Sequence, residues 1–133
     1  MYLENIYFAI NESLNTIKKY NAIFLPDDDI TVSAKDINRL FDIFYKYDLD
    51  LAQPAVKSGK INHLMTKRNL FCFLRYVNFI EMMGPIFRTD ILLEVLPIFN
   101  LTRSGWGIDF LWSKKLENKK NGNHRCCRCK TWK

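Results

Sequence analysis

The stretch Phe24-Leu25-Pro26-Asp27-Asp28-Asp29-Ile30 places three consecutive carboxylates at the end of an apolar run. That run, residues 22–25, is short and continuously apolar, which is typical of a buried strand. If the chain stays extended beyond it, side chains alternate, so Asp27 and Asp29 share one side and Asp28 takes the other. Adjacent carboxylates raise one another's pKa unless a cation offsets them, and oxygen ligands suit Mg²⁺ or Mn²⁺. The alternative is a solvated acidic turn in which an aspartate caps a helix.

Helical patterns are predicted on both sides of this strand. Apolar residues recur with a period near 3.6 across residues 2–19. Ser33-Ala34-Lys35-Asp36 is a capping-box pattern that begins a second helix over residues 34–47. Alternation over residues 49–52 predicts a short strand, closed by Gln53-Pro54. The order of helix, strand, helix and strand indicates an α/β architecture, in which ligands commonly lie at the carboxyl ends of strands.

Two later stretches place polar groups among apolar neighbours. Residues 76–82 predict a buried strand carrying Glu81, and a carboxylate rarely stays buried without a partner. Glu81 is either a structural carboxylate, hydrogen-bonded or paired with Arg75, or part of a sugar or metal site. Residues 104–109, Ser-Gly-Trp-Gly-Ile-Asp, read either as a glycine turn before a helix or as an aromatic platform for a sugar beside a general base, Asp109.

The charge distribution argues against a nucleic-acid partner. The chain has 133 residues, 48% of them apolar, and a net charge of +6, as expected of a folded domain with a basic excess. That excess is confined to residues 114–133, whereas residues 1–113 are close to neutral. A nucleic-acid interface needs positive charge spread over a folded face. The sequence shows neither a signal peptide nor an apolar run of membrane-spanning length, so the expected location is the cytoplasm, including the inner membrane surface.

Residues 119–133 are interpreted as a basic, cysteine-rich tail outside the folded core. Cys126, Cys127 and Cys129 lie near His124, but their C-C-x-C spacing lacks the C-x-x-C loops of paired zinc knuckles. A small zinc or nucleic-acid binder is therefore the least favoured alternative. Removing one adenine from a run that can encode Lys119-Lys120-Asn121 permits a frame that reads as a strand ending in histidine, so we interpret the tail as a disordered frameshift product.

The order of these motifs resembles a family catalogued as a domain of unknown function in bacteria and plants. The motifs are the apolar strand with its three aspartates, Leu-x-x-Ala-Gln-Pro, Asn-Phe-Ile-Glu-Met-Met-x-Pro-Ile-Phe and Gly-Trp-Gly-Ile-Asp. Plant members carry the label "lysine-ketoglutarate reductase trans-splicing related", and the family looks like a GT-A glycosyltransferase. The resemblance covers about residues 20–116. It implies a partial GT-A-like, Rossmann-like mixed sheet with flanking helices over residues 1–118, incomplete at both ends.

The resemblance also implies a nucleotide-sugar donor and a glycan or lipid acceptor. Asp27 and Asp29 would hold Mn²⁺ or Mg²⁺ bridged to the donor diphosphate, with Asp28 facing either the nucleotide ribose or a hydrogen-bond donor next to the metal's ligands. Asp109 would deprotonate the acceptor hydroxyl if the reaction inverts. Further residues in motif positions that resemble an acceptor pocket or active-site lining are Gly105, Trp106, Gly107, Gln53 and Glu81.

Two departures from the GT-A pattern make the chain resemble an incomplete copy. Only one helix precedes the strand of residues 22–25, where GT-A domains hold the nucleotide base with further strands, and the downstream strand that often supplies a metal-binding histidine is not recognisable. We therefore expect this fragment to be inactive as an enzyme. The main alternative is a non-catalytic sugar-binding remnant.

Overall fold

The computed structural model describes residues 3–56, 74–77, 79–101, 105, 107–117 and 126–129. The helices are α1 (Leu3–Glu12), α2 (Leu14–Ile17), α3 (Ala34–Lys46), α4 (Thr89–Val95) and α5 (Ile108–Glu117), and a 3-10 helix (Leu96–Asn100) follows α4. The strands are β1 (Ala22–Phe24), β2 (Leu51–Pro54), β3 (Leu74–Tyr76), β4 (Ile86–Arg88) and β5 (Cys126–Cys129). Within these residues no helix is long and apolar enough to cross a membrane.

The strands form one mixed sheet with the order β1-β4-β2-β5-β3. Strand β4 runs antiparallel to both β1 and β2, and β3 runs antiparallel to β5. Strands β2 and β5 are parallel. A mixed sheet with flanking helices confirms the predicted α/β class.

The core consists of two apolar clusters on opposite faces of the sheet. Side chains alternate along a strand, so Leu51 packs with residues of α1, α4 and α5, whereas its neighbour Ala52 packs with residues of α3. The larger cluster centres on Trp112, whose ring lies edge-on to Phe87 with centroids 5.4 Å apart. Both clusters are buried, so the sheet is covered by helices on its two faces.

Local sequence determines where α3 begins. The Ser33 hydroxyl oxygen accepts a hydrogen bond from the backbone N–H of Asp36 over 3.1 Å, which confirms the predicted cap. The buried face of α3 carries Leu40, Ile43 and Phe44. The helix ends at Lys46, and shortly afterwards Asp48 adopts a positive φ of 48°, a backbone conformation that aspartate tolerates better than most residues.

Three predicted elements differ from the observed ones. The helix expected over residues 2–19 is divided at Ser13 into α1 and α2, and β2 begins at Leu51 rather than at residue 49. The strand expected over residues 76–82 is wrong, because β3 ends at Tyr76 and residues 79–82 are not in a strand. The backbone of residues 80 and 81 is hydrogen-bonded by side chains from other elements, described below, instead of by the backbone of a neighbouring strand.

Part of the expected disordered tail lies in the sheet. Residues 126–129 form β5 between β2 and β3, with Ala52 opposite Cys127 on one side and Tyr76 opposite the same residue on the other. The disorder expected of the tail therefore does not hold for these four residues. Its origin in a frameshift stays a prediction, which the codons of Asn121–Lys133 would test.

Candidate functional site

The first aspartate of the triplet is fixed by a neighbouring loop. Antiparallel pairing between β1 and β4 continues past the strands, since Leu25 N–H donates to the Pro85 carbonyl over 2.9 Å and Asp27 N–H donates to the Met83 carbonyl over 3.0 Å. A Cβ placed on Gly84 would lie 3.5 Å from Ile30 Cδ1, so the loop packs against the segment that follows the triplet. Asp27 is thereby held at one defined end of the sheet, which we call the carboxylate end.

The other two aspartates do not continue the strand. Asp28 and Asp29 form a turn, in which Ile30 N–H donates to the Asp27 carbonyl over 3.3 Å. Both side chains are exposed, whereas Asp27 is half-buried. The extended geometry that would have placed Asp27 and Asp29 on one side is therefore not observed. Residues 28 and 29 form an acidic turn, as in the alternative interpretation, but the residue that caps the following helix is Ser33 and not an aspartate.

Gln53 and Glu81 meet near the same end of the sheet. The Gln53 side-chain oxygen accepts a hydrogen bond from the Glu81 backbone N–H over 2.9 Å, across 28 residues of sequence. Gln53 is 1% exposed and Glu81 is 6% exposed, so this is a buried contact whose loss would leave a backbone donor unsatisfied. Two predicted site residues from separate motifs are thus brought together.

Electrostatics connect Asp27 to Glu81. Burial raises the pKa of Asp27 above its ordinary value of 3.8, and the nearby charges of Asp29, Asp28 and Glu81 raise it further. A carboxylate in such surroundings is ionised at a cost, which a bound cation would remove. The carboxylate end is therefore electrostatically suited to a cationic partner.

The described residues of the carboxylate end do not by themselves form a complete metal site. Among the described parts of the chain, no three or more His, Cys, Asp or Glu side chains are grouped so as to hold a metal ion. Mg²⁺, however, is commonly bound by one or two carboxylates together with substrate phosphates. Asp27 and Asp29 could supply such a partial set.

The glycine turn also has the predicted backbone character. Gly105 and Gly107 have φ angles of 74° and 83°, which L residues rarely adopt, and Ile108 N–H donates to the Gly105 carbonyl over 3.4 Å. Trp106, the expected aromatic platform, lies outside the described residues. Asp109 is half-buried in the first turn of α5, where its carboxylate accepts the Phe110 N–H over 3.0 Å.

Helix α5, which carries Asp109, packs against residues 79–81, the segment that contains Glu81. The Trp112 indole N–H donates to the buried Ile80 carbonyl over 3.2 Å. Phe110 packs on Phe79 with ring centroids 4.7 Å apart. The helix that bears the predicted general base therefore packs directly beside the predicted active-site lining.

A cluster that the sequence analysis missed lies at the opposite end of β1 and β4. Arg88 Nη1 is 2.7 Å from a carboxylate oxygen of Asp50, a residue 2% exposed, and its Nε donates to Asp90 over 2.8 Å. The hydrogen bond to Asp90 and the charges of Asp50, Asp90 and Asp48 raise the pKa of Arg88 despite partial burial. Burial alone would raise the pKa of Asp90, but the hydrogen bonds from Arg88 and Ile91 and the charge of Arg88 hold it below its usual value.

The signal for this cluster was the pair of aspartates around Leu49, at residues 48 and 50. Their partner is 38 residues away from Asp50, and only the β2–β4 register brings the two together.

Comparison with known proteins supports the family identified from the motifs. The search of curated proteins and the search of solved structures found no significant match. A family model matches residues 13–73, just under half of the chain. The matched range contains the three aspartates and Gln53, and it ends before Glu81 and Asp109. Residues 13–73 are thus similar to the family described as "Protein of unknown function (DUF707)".

Proposed function

We propose that this chain is an incomplete copy of a metal-dependent glycosyltransferase, an enzyme that uses a nucleotide sugar and a glycan or lipid acceptor. The observation that supports this most is the carboxylate end. There, Asp27 is fixed by the Met83 carbonyl, its pKa is raised by burial and by three other carboxylates, and Glu81 is fixed by Gln53. A polar site at one end of a mixed sheet, beside the loops that follow its strands, is where α/β proteins commonly bind ligands.

In this proposal Asp27 and Asp29 would hold Mg²⁺ or Mn²⁺ together with the nucleotide diphosphate, and Asp28 would face the ribose. The bound cation supplies charge neutralisation of the departing diphosphate. Because the free protein offers only a partial ligand set, Mn²⁺ alone should bind with millimolar or weaker affinity, about −4 kcal/mol or less favourable.

The chain's own residues position the other groups. Gln53 holds the backbone of Glu81 in place, which keeps this residue close to the proposed donor site. Asp109, at the start of α5, accepts the proton of the acceptor hydroxyl if the reaction inverts. Gly105, Trp106 and Gly107 shape the acceptor pocket. The reaction belongs in the cytoplasm, and a lipid acceptor would bring the chain to the inner membrane surface.

The test is a titration of the full chain with uridine and guanosine diphosphates, with and without Mn²⁺. We expect nucleotide binding that needs Mn²⁺ and that falls at least tenfold in Asp27→Asn. Asp42→Asn, which removes an exposed carboxylate from the middle of α3, is the matched control and should bind as the parent does. Binding that is independent of Mn²⁺, or equal in the two variants, would overturn the proposal.

A second measurement separates transfer from binding alone. Release of nucleoside diphosphate from a panel of nucleotide sugars, lost in Asp27→Asn, supports an enzyme. Nucleotide or sugar binding without any release supports the non-catalytic remnant.

A further inference from the structure

A pocket of about 550 Å³ lies at the end of the sheet opposite to Asp27. Asn21 precedes β1 whereas Asp27 follows it, and Ala22 pairs with Arg88 at the near end. The strands β1, β4 and β2 therefore separate this pocket from the carboxylate end. Its polar and aromatic lining includes Tyr20, Asn21, Tyr45, Asp48, Arg88 and Asp90.

Hydrogen bonds hold the walls of this pocket in place. The Thr89 hydroxyl donates to the Tyr20 carbonyl over 2.6 Å, and the Thr89 N–H donates to the Asn21 carbonyl over 3.0 Å. Arg88 is fixed twice to Asp50, through its side chain at 2.7 Å and through its backbone N–H at 2.8 Å. A cavity whose walls are fixed before binding loses little conformational entropy when a ligand enters.

The charges around the pocket argue against an ionic ligand. Lys18 and Arg88 line the pocket together with Asp48 and Asp90, so positive and negative groups are balanced. Arg88 already contacts Asp50 and Asp90, and Asp48 lies 4.0 Å away. An anion would have to displace these carboxylates, and a cation would meet the guanidinium.

The remaining lining suits a neutral hydroxylated ring. Tyr20 is 59% exposed and Tyr45 is 52% exposed, and each offers an apolar ring face with a polar tip. Asn21, Asp48 and Asp90 supply amide and carboxylate groups that can donate to or accept from hydroxyls. Apolar faces combined with a few fixed polar groups, in a volume of this size, are typical of small-ligand sites.

We propose that this pocket binds an uncharged saccharide unit. The site needs neither a metal ion nor a nucleotide, and it lies at the opposite end of β1 from the proposed donor site. It is therefore independent of the proposed function: a chain that never binds a nucleotide would still bind saccharide here.

The test is a titration of the full chain, without metal or nucleotide, by methyl glucoside, methyl galactoside, methyl mannoside, maltose and cellobiose, followed by NMR. We expect saturable binding of at least one of these in the millimolar range. Tyr20→Ala should weaken it at least tenfold, whereas Tyr20→Phe should keep most of it because the ring face remains. Tyr76→Ala is the matched control, because Tyr76 is 58% exposed on β3 and is not among the residues that line the pocket.

Several outcomes would overturn the inference. These are no saturable saccharide binding, equal loss in Tyr20→Ala and Tyr76→Ala, and saccharide binding that disappears in Asp27→Asn but not in Tyr20→Ala. Inorganic phosphate bound in a Lys18-dependent manner would instead identify an anion site, and tetramethylammonium bound in an Asp48-dependent manner would identify a cation site. Thermal unfolding of Tyr20→Phe and Tyr20→Ala separates lost binding from lost folding.

Discussion

Replacing Arg88 by methionine should be among the most destabilising single changes at the surface of this protein. The guanidinium lies 2.7 Å from the Asp50 carboxylate, whose side chain is only 3% exposed. Without Arg88 that buried carboxylate would lose its ion-pair partner, and breaking a buried ion pair typically costs about 3–5 kcal/mol. Because the Arg88 side chain is itself 37% exposed, water can partly replace it, so we expect the lower end, about 3 kcal/mol.

The assay is urea denaturation of the parent, Arg88→Met, Asp50→Asn and the double variant at neutral pH. In the double variant the buried charge is gone, so most of the lost stability should return. The four proteins form a double-mutant cycle, which should give a coupling free energy between Arg88 and Asp50 of about 2 kcal/mol or more. The melting temperature of Arg88→Met should fall by about 10 °C.

Asp90→Ala is the internal control for this cycle. It removes the second partner of Arg88, but the Asp90 side chain is 65% exposed, so the expected cost is below about 1 kcal/mol. If Arg88→Met cost no more than Asp90→Ala, or if the double variant were no more stable than Arg88→Met, the dependence of Asp50 on Arg88 would be refuted.

Three further changes test other parts of the structure. The pKa of Asp27 is raised in the folded state, so the contribution of this residue to stability is complete below pH 3.8 and is lost as the pH rises through the folded-state pKa. Asp27→Asn should therefore be more stable than the parent at neutral pH. Urea denaturation between pH 3 and 7 would contradict this if the parent became more stable relative to Asp27→Asn as the pH rose. Ser33→Ala removes the cap of α3 and should cost about 1 kcal/mol in urea denaturation; an unchanged midpoint would contradict a role for this cap in stability. Trp112→Phe removes the donor to the buried Ile80 carbonyl and should cost about 1–3 kcal/mol, compared with about 3–5 kcal/mol for Trp112→Ala. Equal losses would show that the hydrogen bond and the part of the indole that phenylalanine lacks account for the whole effect.

Elements encoded by neighbouring residues could be predicted from the sequence. The cap of α3 depends on two residues three positions apart, and β1 on a short apolar run, so both are visible locally. The positive φ angles of Gly105 and Gly107 are conformations that glycine adopts without steric cost, so these two glycines made a turn predictable.

Features that depend on distant partners could not be predicted in this way. The strand expected over residues 76–82 ends early because Gln53 accepts the N–H of Glu81 and Trp112 donates to the carbonyl of Ile80, which replaces ladder bonds with side-chain contacts. Arg88 and Asp50 lie near each other only through the pairing of β2 with β4. At the candidate site, the residue types were visible, but the turn at Asp28 and Asp29 depends on the loop of residues 82–85 that holds Asp27.

The position of β5 in the sheet has a consequence for synthesis on the ribosome. Among the strands that the structure describes, β3 pairs with the sheet only through β5, and β5 is the last of the five to be translated. Until it emerges, β2 and β3 each present an unpaired backbone edge, which is the kind of surface that recruits other chains. A released chain that ends before residue 126 would therefore leave the position between β2 and β3 unfilled, with both strand edges unpaired. It would be most vulnerable to aggregation while that position stays unfilled.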